Sequence, residues 1–163
     1  MTDPLRTAKL LALLVPAALL AGAYGSELWG GLYPCEMCYW QRYAHFAGLG
    51  FAFVALLAGR MPDRGRSFVW LAALGILASG GIGVFHAGVE LDLWEGITEC
   101  AVTATGSGDD FFKSIMEAPL VRCDEVQWAD PVLGISMAGW NAIVSISAGL
   151  AILWLSLKRP RAA

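Results

Sequence analysis

Four long apolar stretches dominate the chain and limit the folds open to it. They cover approximately residues 10–28, 40–58, 67–89 and 137–157. A membrane-spanning helix needs about 20 largely apolar residues, which is close to the length of each stretch. None of them alternates apolar and polar residues as the strands of a membrane barrel do. The sequence therefore predicts an all-α membrane protein, a single domain over residues 1–163 built as a bundle of four transmembrane helices.

Composition supports a membrane protein and excludes two other classes. The chain is 57% hydrophobic and only 15% charged, with a formal net charge of −3. A soluble domain carries about 25% charged residues. A chain this apolar is not intrinsically disordered. Its net negative charge excludes a basic nucleic-acid-binding protein. We expect the lipid bilayer as a partner and no nucleic acid.

Basic residues near the helix ends predict the orientation. Eight of the 11 lie on one side of the predicted membrane, namely Arg6, Lys9, Arg60, Arg64, Arg66, Lys158, Arg159 and Arg161. The other side has only Arg42, Lys113 and Arg122. Because Lys and Arg are enriched in cytoplasmic loops, both termini should be cytoplasmic. Two loops, about residues 29–42 and 90–136, should then lie outside.

The first stretch has a second interpretation. Arg6 and Lys9 followed by apolar residues 10–23 resemble the start of a secretory signal peptide. Apolar character continues to Trp29, which favours a retained helix. Both interpretations place the residues after Gly25 outside.

The second outer loop is long, acidic and contains a candidate short helix. Residues 109–116 carry Phe111, Phe112, Ile115 and Met116 at helical spacing, after a Gly-rich joint at 105–108. This pattern predicts a helix at the membrane interface or one packed on the bundle. The acidity of the loop is that of a solvated surface or of a docking surface for a soluble partner.

Small residues mark the third stretch as a packing surface. They let membrane helices approach closely, and we expect this of Gly75, Ser79, Gly80, Gly81 and Gly83. Ser136, just before the fourth stretch, is a predicted helix N-cap.

All four cysteines fall in the predicted outer loops. Cys35 and Cys38 form a CxxC pair, and Cys100 and Cys123 lie 23 positions apart. Structural disulfides, a tetra-cysteine zinc site and a thiol–disulfide relay are all possible. A CxxC disulfide closes too small a loop to stabilise the fold much, and the second pair lacks the close spacing of a zinc site. The relay is favoured, with no metal predicted, and the two alternatives remain open.

The surroundings of the CxxC pair favour redox chemistry. Pro34 is suited to open a helix, and Cys35 and Cys38 would then lie on one face of its first turn. A helix N-terminus stabilises a thiolate in this turn. Arg42, four residues after Cys38, would share its helix face. The alternative for Arg42 is an anchor at the lipid interface.

Two histidines lie in the predicted helices. His86 is near the outer end of the third helix, at about the level of Arg42, and a polar residue inside a membrane is often functional. A simple hydrogen bond to a backbone carbonyl is the alternative for His86. His45 is a weaker candidate.

Several motifs together resemble the disulfide bond formation protein B (DsbB) family. Residues 34–42, PCEMCYWQR, are similar to its CxxC-x-x-(Glu/Gln)-Arg signature. The resemblance extends to residues 85–90, FHAGVE, to the Cys100 and Cys123 pair, and to Gln127-Trp128 and Trp140-Asn141. It covers nearly the whole chain.

The resemblance implies a quinone-dependent thiol/disulfide oxidoreductase of the bacterial inner membrane. A periplasmic thioredoxin-like (DsbA-like) dithiol would reduce the Cys100–Cys123 disulfide through a mixed disulfide with Cys100. Cys123 would pass electrons to Cys35, and Cys38 would face ubiquinone or menaquinone. By the same resemblance Arg42 and His86 lie near the quinone. A non-enzymatic membrane protein with structural disulfides or a tetra-cysteine metal site is the alternative.

Overall fold

The computed structural model describes residues 3–97, 101–102 and 120–158. Within these ranges the chain forms four long helices: α1 (Pro4–Gly30), α2 (Glu36–Leu57), α3 (Arg66–Glu90) and α4 (Met137–Leu157). All four are long and apolar enough to cross a membrane, which confirms the predicted four-helix membrane bundle. A 3-10 turn, Ala58–Arg60, follows α2. Cys100 and the predicted short helix at 109–116 lie outside the described residues.

The helices alternate in direction. α3 lies against both α2 and α4, and α1 lies against the same two helices. At one end Arg64, between α2 and α3, forms an ion pair with Asp3, just before α1. At the other end Ser136 donates a hydrogen bond to Glu90, linking the start of α4 to the end of α3. We call this second end, where α2 begins with Cys35 as its cap, the cysteine end.

Local capping explains where α1 and α4 begin. α1 starts at Pro4, six residues earlier than predicted, because Asp3 accepts a hydrogen bond from the Leu5 N–H and proline fits the first helical position. The Ser136 side chain accepts from the Gly139 N–H at 3.1 Å, as its predicted N-cap role requires.

The start of α2 differs from the prediction. Cys35 is not in the first helical turn: it is the extended N-cap residue (φ −77°, ψ 176°), and the helix begins at Glu36. The Cys35 carbonyl accepts the first helical hydrogen bond, from the Tyr39 N–H at 3.2 Å. Cys38 is therefore the third helical residue. An N-cap side chain lies next to this position, which is the geometry of the capping box.

A short two-stranded sheet, which the sequence analysis did not predict, leads the chain back to the cysteine end. Strand β1 (Ala101–Val102) pairs antiparallel with β2 (Leu120–Val121), with Ala101 opposite Val121. Val121 and Cys123 are buried and pack with Cys35, Met37 and Val89. This cluster holds part of the second loop against the ends of α2 and α3.

The small residues of α3 give a matched test of helix packing. A Cβ on Gly75 would lie 3.0 Å from the Gly48 Cα of α2, whereas one on Gly81 would meet nothing within 4 Å. The packing prediction was therefore wrong for Gly81. We expect Gly75→Val to cost about 1–3 kcal/mol, measured as a lower thermal unfolding temperature of the purified protein. Gly81→Val is the control and should change stability much less; equal losses would contradict this packing.

Candidate functional site

The CxxC sulfurs lie together at the cysteine end. The Sγ atoms of Cys35 and Cys38 are 3.3 Å apart, with Cys35 buried and Cys38 partly buried. Because Cys38 is in the first turn of α2, it lies at the positive end of the helix dipole, which favours a thiolate. Hydrogen bonding to Cys123 and Cys38, together with burial, raises the pKa of Cys35 above its ordinary value. This contrast makes Cys38 the better-placed sulfur to carry negative charge.

The second loop brings another sulfur to the pair. Cys123 is buried, and its Sγ, the Sγ of Cys35 and a ring nitrogen of His86 all lie within 4.8 Å of one another. This proximity is the geometry that thiol–disulfide exchange between the two cysteine pairs requires. Cys100, the fourth predicted site residue, lies outside the described residues.

His86 contacts the CxxC pair directly. Its Nε2 lies 3.5 Å from the Cys35 Sγ, and its Nδ1 lies 3.0 Å from the Gln41 amide nitrogen. The Glu90 carboxylate, one helical turn away, is 3.8 Å from Nε2. Only 3% of His86 is exposed, so these contacts replace water around the ring. His86 therefore has side-chain partners, in contrast to the backbone-carbonyl alternative.

Arg42 is buried at the same end but binds α1. Its Nη1 donates to the Glu27 carboxylate at 2.5 Å and its Nη2 donates to the Ala23 carbonyl at 3.1 Å. The guanidinium carbon also lies 4.5 Å from the centre of the Tyr24 ring. Arg42 is therefore buried and ion-paired within the bundle, in contrast to the alternative of an anchor that extends toward the lipid interface. Arg42 Nε is buried and has no hydrogen-bond partner among the described residues.

Sequence reasoning missed Glu27 as part of this site. Its carboxylate neutralises the Arg42 guanidinium across the contact between α1 and α2. The available signal was an acidic residue at the end of an otherwise apolar stretch, because ionisable groups inside a membrane usually have a partner.

His45 contacts α4 and is linked to the site through other polar side chains. Its Nε2 lies 2.9 Å from the Asn141 side-chain oxygen of α4, and it is 3% exposed. Asn141 in turn donates to the Gln41 side chain at 2.7 Å. A chain of polar side chains therefore runs from His45 through Asn141 and Gln41 to His86.

One cavity of about 380 Å³ brings the predicted site residues together. Cys35, Cys38, Arg42 and His86 all line it. The rest of its wall includes residues of α1 and α4, among them Ala18, Leu19, Gly22, Ala23, Met137 and Ala138. A mostly apolar cavity with a few polar groups suits a flat apolar ring that carries oxygen atoms. The unpartnered Arg42 Nε–H fits such a ring because it can donate to an oxygen.

The same end offers ligands for a metal ion. One side-chain atom each of Cys35, His86 and Cys123 lie within 4.8 Å of one another. Zinc sites use cysteine sulfur and histidine nitrogen, usually with four ligands in all. These three residues are the possible ligands on which a test of the metal-site alternative can be based.

The fold and the site define a multi-pass membrane protein with a CxxC pair in the wall of a cavity. The family model described as "Disulfide bond formation protein DsbB" matches residues 5–155. The chain therefore belongs to the DsbB family and is a disulfide-generating membrane oxidoreductase.

Curated relatives agree with this assignment. Disulfide bond formation protein B of Azoarcus sp. (strain BH72) is 33% identical over 155 residues, covering 88% of this chain and 87% of that protein. The protein of the same name from Marinobacter nauticus is 34% identical over 142 residues, covering 82% and 80%. No solved structure shows significant similarity to the chain.

Proposed function

We propose that the protein oxidises a periplasmic thioredoxin-like (DsbA-like) dithiol and passes the electrons to ubiquinone or menaquinone in the bacterial inner membrane. The observation that carries this proposal is the shared cavity, where the CxxC pair, Arg42 and His86 meet beside the buried Cys123. The distribution of basic residues supports cytoplasmic termini and periplasmic cysteine loops.

The thiol half of the reaction begins at the second loop. A partner thiolate attacks Cys100, which breaks the Cys100–Cys123 disulfide, forms a mixed disulfide and releases the Cys123 thiolate. The partner's second thiolate then attacks the partner's first sulfur in this mixed disulfide and releases the Cys100 thiolate. The partner leaves oxidised, with both of its electrons on Cys100 and Cys123.

The electrons then move to the CxxC pair. Cys123 attacks Cys35, which breaks the Cys35–Cys38 disulfide and releases Cys38 as a thiolate. Cys100 attacks Cys123 and releases Cys35, so that the loop disulfide re-forms. The close approach of Cys123 and Cys35 supports this order.

The final half of the reaction restores the CxxC disulfide. Bound quinone would accept two electrons and two protons and leave as quinol. Arg42 would bind a ring oxygen and stabilise the negative charge that develops there. His86 would hold the sulfurs in place through its contact with Cys35.

Steady-state turnover tests the proposed function. The purified protein in lipid nanodiscs, without oxygen, is given a reduced thioredoxin-like dithiol and either quinone. We expect one quinone to be consumed for each partner disulfide formed, followed by quinone absorbance and a thiol count. Partner oxidation without quinone consumption would contradict the proposal.

Trapping experiments identify the attacked cysteine. A reduced partner that keeps only its attacking cysteine cannot resolve the mixed disulfide, so we expect its complex with the unsubstituted protein to accumulate after acid quenching. Gel electrophoresis without reductant detects this complex, and mass spectrometry of its disulfide-linked peptides should find the partner bound to Cys100. A partner bound to Cys123 would show that Cys123 is the attacked residue.

The metal alternative rests on the Cys35, His86 and Cys123 cluster. Elemental analysis beside a thiol count separates it from the relay. The relay predicts disulfides and no stoichiometric zinc in the purified protein. One bound zinc per chain with reduced thiols would favour the alternative.

A further inference from the structure

We infer that Gln41 is a positioning residue that fixes His86 as the tautomer with its proton on Nε2, facing the Cys35 sulfur. The role of that sulfur rests on the proposed function. The tautomer of His86 does not depend on that function and can be measured without turnover.

A backbone carbonyl fixes the orientation of the Gln41 amide. The Met37 carbonyl oxygen lies 3.3 Å from the Gln41 Nε2. A carbonyl can only accept, so the atom facing it must be the NH₂ group. The same NH₂ lies 3.0 Å from His86 Nδ1. Gln41 therefore donates to His86 and cannot accept from it in this orientation.

A second backbone carbonyl fixes the next amide independently. Asn141 Nδ2 lies 3.1 Å from the Ser79 carbonyl oxygen, so this atom must also be the NH₂ group. It donates to the Gln41 side-chain oxygen at 2.7 Å. Reversing the Gln41 amide would place two NH₂ groups against each other. The contacts of both amides thus support the same orientation of Gln41, with its NH₂ group toward His86.

These contacts decide which ring nitrogen of His86 donates a hydrogen bond. A neutral imidazole has one donor and one acceptor nitrogen. Because Nδ1 accepts from Gln41, the proton is on Nε2, which lies 3.5 Å from the Cys35 Sγ. An N–H directed at sulfur stabilises negative charge on the CxxC pair. A protonated Nε2 has no lone pair for zinc, which argues against the metal cluster.

Nitrogen NMR measures the tautomer directly. The chain has only two histidines, so ¹⁵N-histidine labelling gives two imidazole spin systems. The signals that His45→Asn removes belong to His45, which assigns the others to His86. In the reduced protein at about pH 8, above the ordinary histidine range, we expect His86 to carry its proton on Nε2. A proton on its Nδ1 would overturn the inference.

Substitution of Gln41 tests its positioning role. Gln41→Met should leave His86 in a mixture of tautomers and slow iodoacetamide alkylation of the reduced CxxC pair about two- to tenfold. The chain's other glutamine, Gln127, gives the matched control: Gln127→Met should leave the His86 tautomer unchanged. Retention of a single Nε2–H tautomer in Gln41→Met would overturn the role assigned to Gln41. The measurement on the unsubstituted protein stands even if Gln41→Met does not fold.

Discussion

Cys38→Ser is expected to abolish quinone reduction, with a loss of roughly a thousandfold or more, as for removal of a reacting nucleophile. Cys38 lies in the first turn of α2, with its sulfur 3.3 Å from that of Cys35. A serine hydroxyl neither forms a disulfide nor ionises at neutral pH, so the CxxC pair can no longer deliver two electrons. Quinone absorbance under steady-state turnover measures the loss.

The Cys38→Ser variant contains its own control. Cys100 and Cys123 are untouched, so the variant should still reach the membrane and still form the mixed disulfide with the partner. Quinone reduction within tenfold of the unsubstituted rate would mean that electrons reach quinone without passing through Cys38.

Arg42→Ala is expected to lower kcat/KM for quinone by about 10- to 100-fold while changing the KM for the partner little. The substitution removes the buried cation of the cavity and its unpartnered Nε–H. It also leaves the Glu27 carboxylate without its ion-pair partner, beside the proposed quinone site. Both effects act on the quinone half of the reaction. Varying each substrate separately in the steady-state assay measures them.

The chain offers a matched control for Arg42. Arg64 also forms an ion pair, with Asp3, but at the opposite end of the bundle. Arg64→Ala should therefore leave both KM values and kcat unchanged. If Arg42→Ala weakens quinone and partner reactions equally, its role is structural.

The helices were predictable because each needs only a long apolar run. Their starts were less so: α1 begins at Pro4 because Asp3 caps it, and Cys35 is a cap where a helical residue was expected. These details depend on single side-chain hydrogen bonds and on the extended residue that precedes a helix, which apolar patterning does not register.

The sequence analysis named residues that the structure brings to one cavity, such as Cys38, Arg42 and His86, but it missed Glu27 and the contacts between helices. Helical spacing placed Arg42 near Cys38, yet the rotation of α2 against α1 decides that the guanidinium pairs with Glu27. The contact between Gln41 and Asn141 joins residues 100 positions apart, on α2 and α4. No local pattern encodes such a pair, because it forms only when both helices pack.

The central claim is that both cysteine pairs deliver electrons to quinone through Cys38, and counting quinol in a single turnover tests it most directly. The fully reduced protein is mixed with excess quinone, without partner or oxygen. Four cysteines form two pairs, and each pair carries two electrons. The account predicts two quinols per unsubstituted chain, one for the Cys100→Ser, Cys123→Ser double variant, and none for Cys38→Ser. One quinol from Cys38→Ser, or none from the double variant, would contradict it.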